Sequence, residues 1–260
     1  MPGTKRQPSR ARSPACSHPR IRYPDCEVIV VDNRSSDVTG RLLITFALQN
    51  SRLSVLHVRA VPEGWLGKTH ALYAGYRQAR GDWLLFTDAD VIFDRQCLQA
   101  AIAYAENEGL DHLVLAPSGE TAGFWEPVLI GCFGLLFNLV FRPWAARNSR
   151  SRAFVGIGAF NLVRRPVYEA IRTHRAIANA EVDDLQLGAR IKARGFRQAA
   201  VVGRNLLSVR WQIGMPGSVG ALEKNAFARL QYSVLYTIAG CSVLLLAGMA
   251  PILAAAARAA

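Results

Sequence analysis

Lysine is scarce in this 260-residue chain. Only Lys5, Lys68, Lys192 and Lys224 occur, so a formal net charge of +12 is carried almost wholly by arginine. Such an excess points to nucleic acid, anionic lipid or diphosphate as a partner. The arginines are scattered, with no aromatic platform and no helix-turn-helix pattern, which leaves nucleic acid the weakest of the three. Cysteine is sparse as well. Cys16, Cys26, Cys97, Cys132 and Cys241 are odd in number and lack paired spacing, which argues against a disulfide-built secreted domain and reads as free thiols. With no C-x-x-C or Cys/His cluster, no structural zinc is expected. His57, His70, His112 and His174 have no ligand spacing, and no G-x-S-x-G motif is present, which disfavours covalent catalysis. Charged residues are only 19% against 51% hydrophobic, a balance that suits a globular domain with some membrane-facing surface.

The first 22 residues, rich in Arg, Pro and Ser without an apolar segment, read as a basic mobile tail and not as a signal peptide. After them, short apolar runs at 27–31, 53–58, 83–87 and 112–116 alternate with longer stretches of helical composition. This alternation predicts parallel strands joined by helices that cover both sheet faces, a Rossmann-like α/β sheet. Ligands bind such sheets beyond the carboxyl ends of the strands. Two runs close there on carboxylates, at Asp32 and at Asp88 to Asp90.

Two later segments bear on the membrane. Residues 128–141 are apolar over about one helix, short of the ~20 residues of a span, and read either as an interfacial helix or as a buried core helix. Residues 230–257 carry no charge, and 231–260 are expected to form one transmembrane helix. Of the lysines and arginines only Arg258 follows the uncharged stretch, which puts the large domain, residues 23–211, on the cytoplasmic side. Residues 212–230, with Leu222 and Phe227 against Lys224 and Arg229, form an amphipathic lead-in.

Four constellations carry potential chemistry. In Val28-Ile-Val-Val-Asp32-Asn-Arg-Ser-Ser-Asp37, Asp32 is placed to accept hydrogen bonds from a base or ribose. Asp37 is placed either for the same work or to cap a helix, worth about 1 kcal/mol. In Gly64-Trp-Leu-Gly-Lys68, backbone amides and one ammonium lie where a helix start receives phosphate oxygens; a solvated lysine is the plainer alternative. Asp88-Ala-Asp90 offers two hard oxygen ligands suited to Mg²⁺ or Mn²⁺ bridging a diphosphate. In Glu181-Val-Asp183-Asp184, acids open a helix. They serve its dipole or supply a general base worth ~10²–10⁴ in rate.

Taken together, V-I-V-V-D-N-x-S-S-D-x-T, G-W-x-G-K, T-D-A-D and x-D-D-L-x-L-G-x-x-x-K-x-x-G, in this order over residues 23–210, resemble the family 2 glycosyltransferases. The G-W-x-G-K loop and the F-W-E segment at Trp125 are most similar to the membrane-associated branch with hopanoid-associated and carotenoid glycosyltransferases. The resemblance implies a GT-A fold, a mostly parallel sheet flanked by helices. It also implies an inverting single displacement from a UDP- or GDP-sugar to a hydroxyl acceptor, a lipid at the membrane being favoured. Asp32, Asp37, Lys68 and Asp88 would lie on the donor side, with Asp32 at the base of the nucleotide. Asp88 and Asp90 would hold Mg²⁺ or Mn²⁺, and Asp184 would be the catalytic base. Asp183, where the family usually has Glu, would lie on the acceptor side with Arg210 and Trp211. Residues 156–161, ahead of Arg164 and Arg165, would correspond to the acceptor-side strand.

Three features depart from the family. The family's opening strand has no counterpart in residues 1–22; Leu207 stands where processive members have glutamine before Arg210-Trp211; and the further membrane helices usual in relatives do not follow. Polymer synthesis is therefore not expected, and a chain shortened at both ends is. An inactive membrane-bound relative and a basic nucleic-acid-binding protein are the alternatives to the enzyme.

Overall fold

A computed structural model describes residues 26–119 and 125–209. The β-branched V-I-V-V run forms β1 (Val28–Asn33), α1 (Thr39–Gln49) crosses over, and β2 (Leu53–Val58) returns parallel to β1, with Asp32 opposite His57. Branched side chains fit the pleated surface, and a parallel neighbour requires such a crossover. α2 (Gly67–Gln78) packs on β1. Gly75 permits the approach, since a Cβ there would sit 3.2 Å from Val31 Cγ2.

Next come β3 (Trp83–Phe86), β4 (Val91–Phe93), α3 (Cys97–Asn107), β5 (His112–Ala116) and the two-residue β6 (Ser118–Gly119). α4 (Trp125–Phe141) leads to a 3-10 turn at Pro143–Arg147. Then follow β7 (Asn161–Arg164), α5 (Arg165–Ala170), a 3-10 turn at His174–Ile177, α6 (Asp183–Ala193), β8 (Gln198–Val202) and β9 (Leu207–Val209). The described cysteines, Cys26, Cys97 and Cys132, are free.

The central sheet has the order β3-β7-β5-β8, and helices cover both faces. Leu113 and Leu115 of β5 and Leu162 of β7 pack with Ala101 and Ala105 of α3 on one side. Val163 of β7 and Leu84 of β3 meet Tyr168 of α5 and Leu187 and Ile191 of α6 on the other. Neighbours Leu162 and Val163 thus serve opposite cores, as the two-residue strand period demands. Each such buried aliphatic contributes about 1.5–3 kcal/mol.

In the central sheet β3, β5 and β8 run the same way, and β7 alone runs antiparallel, between β3 and β5. Two expectations change. The long return from β6 brings the chain back at the carboxyl end of β5, so Asn161 pairs with Val114 and the strand runs down from there. The strand expected at 156–161 is accordingly formed by Asn161–Arg164. The four apolar runs do not share one sheet: among the described residues β1 and β2 form a two-stranded sheet of their own, and β4-β9-β6 form a third.

By its contacts the chain divides into Met1–Thr121 with Gly134–Trp211, and Ala122–Phe133 with Gln212–Ala260. The part of α4 that lies in the first unit, from Gly134 on, takes a course between the two sequence readings. Phe137 packs on Val114, Ala146 and Val155, whereas Leu135, Leu139 and Val140 are exposed. Residues Glu126–Arg147 have the length and composition of a membrane-crossing helix, more than residues 128–141 suggested. The tail 1–22, the amphipathic segment 212–230, the expected transmembrane helix 231–260, and Arg210 and Trp211 lie outside the described residues.

Candidate active site

β1 delivers Asp32 to the edge of its sheet, where the protein itself occupies both carboxylate oxygens. His57 Nδ1 lies 2.9 Å from Oδ2, and the Ser35 amide donates to Oδ1 at 3.1 Å. Hydrogen bonds from Ser35, and then from His57, hold the Asp32 carboxyl below its ordinary range. Asp37 Oδ1 accepts the Thr39 amide at 2.9 Å, a local turn just ahead of α1, whose N-cap is Val38. Beside Asp32, Asn33 crowds the first residue of α2. A Cβ at Gly67 would lie 2.6 Å from Asn33 Nδ2, so glycine allows the end of β1 and the start of α2 to touch.

The Gly-Trp-Leu-Gly-Lys loop is held from both ends. Gly64 adopts φ 79°, a region open to glycine. The Leu66 amide donates to Ala178 O at 2.8 Å, and the buried Thr69 hydroxyl donates to the same carbonyl. Trp65 stacks on Tyr73 with ring centroids 5.3 Å apart. Fixed in this way, the second residue of α2 points its ammonium at two carboxylates. Lys68 Nζ is 2.9 Å from Asp88 Oδ1 and 3.2 Å from Asp183 Oδ1. Burial opposes the Lys68 charge, but Asp183 and Asp88 outweigh it and raise its pKa.

Asp88 follows β3 and is tied to the segment ahead of β7. Its amide donates to Gly158 O at 3.0 Å, and the Thr87 hydroxyl donates to Ala159 O at 2.8 Å. A Cβ on Gly158 would run into the Asp88 carboxylate. The same segment supports α6, since Cβ atoms at Gly156 and Gly188 would overlap the carbonyls of Asp184 and Val155. Asp183 and Asp184 occupy the first turn of α6, where the helix dipole favours anions. Burial nevertheless raises both pKa values, against Lys68 at Asp183 and against the Leu185 amide at Asp184, which donates at 2.8 Å. Two reluctant carboxylates therefore face one lysine.

A buried polar network sets this arrangement. His112 Nε2 donates to Asn161 Oδ1 at 2.9 Å, and Gln198 Nε2 donates to His112 Nδ1 at 2.7 Å. Asn161 Nδ2 then holds Ile157 O, and Gln198 binds both the Val155 amide and Gly188 O. Burial lowers the His112 pKa to about 4, so a neutral ring joins β5, β7 and β8 to the glycine segment. Sequence reading set His112 aside and missed Gly158 and Gln198. The Val-Gly-Ile-Gly spacing ahead of an apolar run was the available signal for the glycine.

Four of the expected residues thus meet: Lys68, Asp88, Asp183 and Asp184. Asp32 stands on the neighbouring sheet, and Asp37 in the loop from it to α1. Asp90 is exposed and has no hydrogen bond or ion pair among the described residues. No group of three or more His, Cys, Asp or Glu suited to a metal occurs among the described residues. Asp88, with Oδ1 on Lys68, and Asp90 two residues on together offer hard carboxylate oxygens. These fit a hard cation that takes its other ligands from water and substrate phosphates, the usual manner of Mg²⁺.

The family model described as Glycosyl transferase family 2 matches residues 15–172. Glycosyltransferase GlyG of Streptococcus pneumoniae serotype 4 is 26% identical over 92 residues, 35% of this chain and 29% of the relative. Among solved structures, S. aureus TarS 1–349 in complex with UDP-GlcNAc superposes with a TM-score of 0.53 at 17% identity, over 77% of this chain and 54% of that one. A longer S. aureus TarS structure gives 0.51 at 18%, over 74% of this chain and 32% of that one. At these identities the likeness is one of fold, and the chain spans less than a third of the length of GlyG.

Proposed function

The chain belongs to glycosyl transferase family 2, and from that premise we propose that it transfers a sugar from a nucleotide-sugar donor, a UDP- or GDP-sugar, to an acceptor hydroxyl with inversion. The observation that carries the reading is the convergence of Lys68, Asp88 and Asp183 at strand and helix ends, with Asp184 beside them. A lysine and paired carboxylates at the carboxyl edge of a sheet suit a diphosphate leaving group and a proton to be removed.

In this reading Asp184 accepts the proton of the acceptor hydroxyl as its oxygen bonds to the anomeric carbon and the bond from that carbon to the diphosphate oxygen breaks. Burial, which raises its pKa, makes Asp184 a stronger base than an ordinary carboxylate. Asp183 holds Lys68 in place, and Lys68 compensates the charge gathering on the departing diphosphate. Asp32 and Asp37 lie on the nucleotide side. Asp88 and Asp90 would hold Mg²⁺ or Mn²⁺, whose role when bound is to neutralise diphosphate charge.

The acceptor in this proposal is a lipid, with the domain on the cytoplasmic face. Support comes from the exposed Leu135, Leu139 and Val140 of α4 and from the uncharged stretch 230–257. Arg210 and Trp211 are assigned to the acceptor side. The test is calorimetry of UDP- and GDP-sugars with Mn²⁺ on detergent-solubilised protein, followed by transfer assays. Asp90→Ala should abolish metal-dependent donor binding, while Asp184→Asn should retain binding and lose transfer. No heat with any nucleotide sugar would sink the proposal, and equal loss of binding in both variants would remove Asp184 as the base.

A further inference from the structure

At the opposite end of α2 from Lys68 lies a cleft of about 840 Å³, walled by Tyr73, Tyr76 and Arg77 of α2 and by Arg172, Arg175 and Arg190. Tyr76 stands eight residues beyond Lys68, roughly 12 Å along the helix axis. Four guanidinium groups line the space, against one carboxylate. That carboxylate, Glu169, is already engaged by the Tyr76 hydroxyl at 2.9 Å and by Arg165 at 4.0 Å. Arg77, Arg172 and Arg175 are exposed, and their side chains have no hydrogen bond or ion pair among the described residues. Four like charges with a single, already engaged acid among them repel one another, so the cluster favours an anion.

The backbone at its rim is unusual. Arg172 and Thr173 are consecutive non-glycine residues at φ 68° and φ 56°. The turn is kept by Thr173 N donating to Tyr168 O at 3.0 Å and by His174 N donating to the Tyr168 hydroxyl at 3.0 Å. Strain of this kind persists only where the surroundings over-determine it, and it gathers at ligand sites. The planar fork of arginine matches phosphate oxygens two at a time. The volume falls in the range of small-molecule sites, larger than a lone ion needs.

We propose that this cleft is a second anion site, taking a ligand with two or more linked phosphates. It does not depend on the transfer reaction. One wall also reaches the Gly-Trp-Leu-Gly-Lys loop, because Tyr73 stacks on Trp65. An occupant would therefore restrain the Gly-Trp-Leu-Gly-Lys segment from behind.

The test is titration calorimetry of inorganic tripolyphosphate into the full chain in EDTA at fixed ionic strength. Saturable 1:1 binding is expected, unchanged in Lys68→Ala and weakened at least tenfold in Arg172→Ala/Arg175→Ala. Arg95→Ala/Arg204→Ala, which removes two exposed arginines elsewhere, should leave it intact. Loss in Lys68→Ala with no effect of the cleft variant would assign the binding to the catalytic site and overturn the proposal. An equal drop in both arginine double variants would reduce it to general charge attraction and overturn it as well. Competition with phosphatidylcholine vesicles containing diacylglycerol pyrophosphate, which bears two linked phosphates, separates the sources. Displacement of tripolyphosphate identifies a lipid headgroup, and its retention a soluble phosphorylated compound.

Discussion

Lys68 Nζ stands 2.9 Å from Asp88 Oδ1 and joins the turn after β3 that bears the Asp-Ala-Asp triplet to the helix that presents the expected base. It also reaches Asp183, whose side chain is only 7% exposed, so one flexible cation satisfies a buried acid and a half-exposed one. Lys68→Met should strip Asp183 of its counter-ion. Stranding one member of a buried pair costs about 3–5 kcal/mol, and the half-exposed ammonium reduces this to about 1–3 kcal/mol. Thermal unfolding should show that loss, and Lys68→Met/Asp183→Leu should recover part of it.

Asp184→Asn should separate stability from activity. Burial raises the Asp184 pKa, so the ionised group at neutral pH works against folding. The amide keeps the shape without the charge. Transfer should fall by about 10²–10⁴, while the midpoint of thermal unfolding stays level or rises. A lower midpoint with unchanged transfer would assign Asp184 to structure.

The pH profile of transfer should carry the same signature. Protonated Asp184 cannot accept a proton, so the rate is low below its pKa and rises through it. Because that pKa is raised, the ascending limb of kcat/KM should lie above the ordinary carboxylate range. In Asp184→Asn the limb should vanish from the residual rate.

Acid should unfold the domain through its buried histidines. Burial lowers His112 to about 4 and His174 to about 3, the latter with help from the Lys68 charge, against 6.5 when free. Between those values the unfolded chain binds protons that the folded one refuses, so stability is whole above 6.5 and is lost as pH falls toward 4. The loss should be on the order of a few kcal/mol. Denaturant midpoints taken from pH 7 to pH 4.5 check this.

Two glycine variants should part ways. At Gly158 an added Cβ meets the half-exposed Asp88 carboxylate, which can swing away. Gly158→Ala should therefore weaken donor binding about tenfold or more with little change in unfolding. At Gly188 the Cβ meets the Val155 carbonyl, a backbone atom with no such freedom. Gly188→Ala should cost about 1–3 kcal/mol.

The alternation of branched apolar runs with helical stretches was enough to read an α/β chain, because strand and helix composition follow from local sterics and burial. The acids and the lysine were legible at strand and helix ends for the same reason. Strand direction was not. It depends on which end of the sheet a long connection returns to, and the four residues of β7 carry no mark of it. The His112–Asn161–Gln198 network also escaped, since its members lie up to 86 residues apart and have no spacing to betray them. Sequence alone determined which side chains were available and that each would stand at the end of an element. Only the tertiary structure decided that Lys68 bridges Asp88 and Asp183. Ion pairing needs approach within about 4 Å, and the glycines at 67, 156 and 158, by omitting a Cβ, allow three separate segments to come that close.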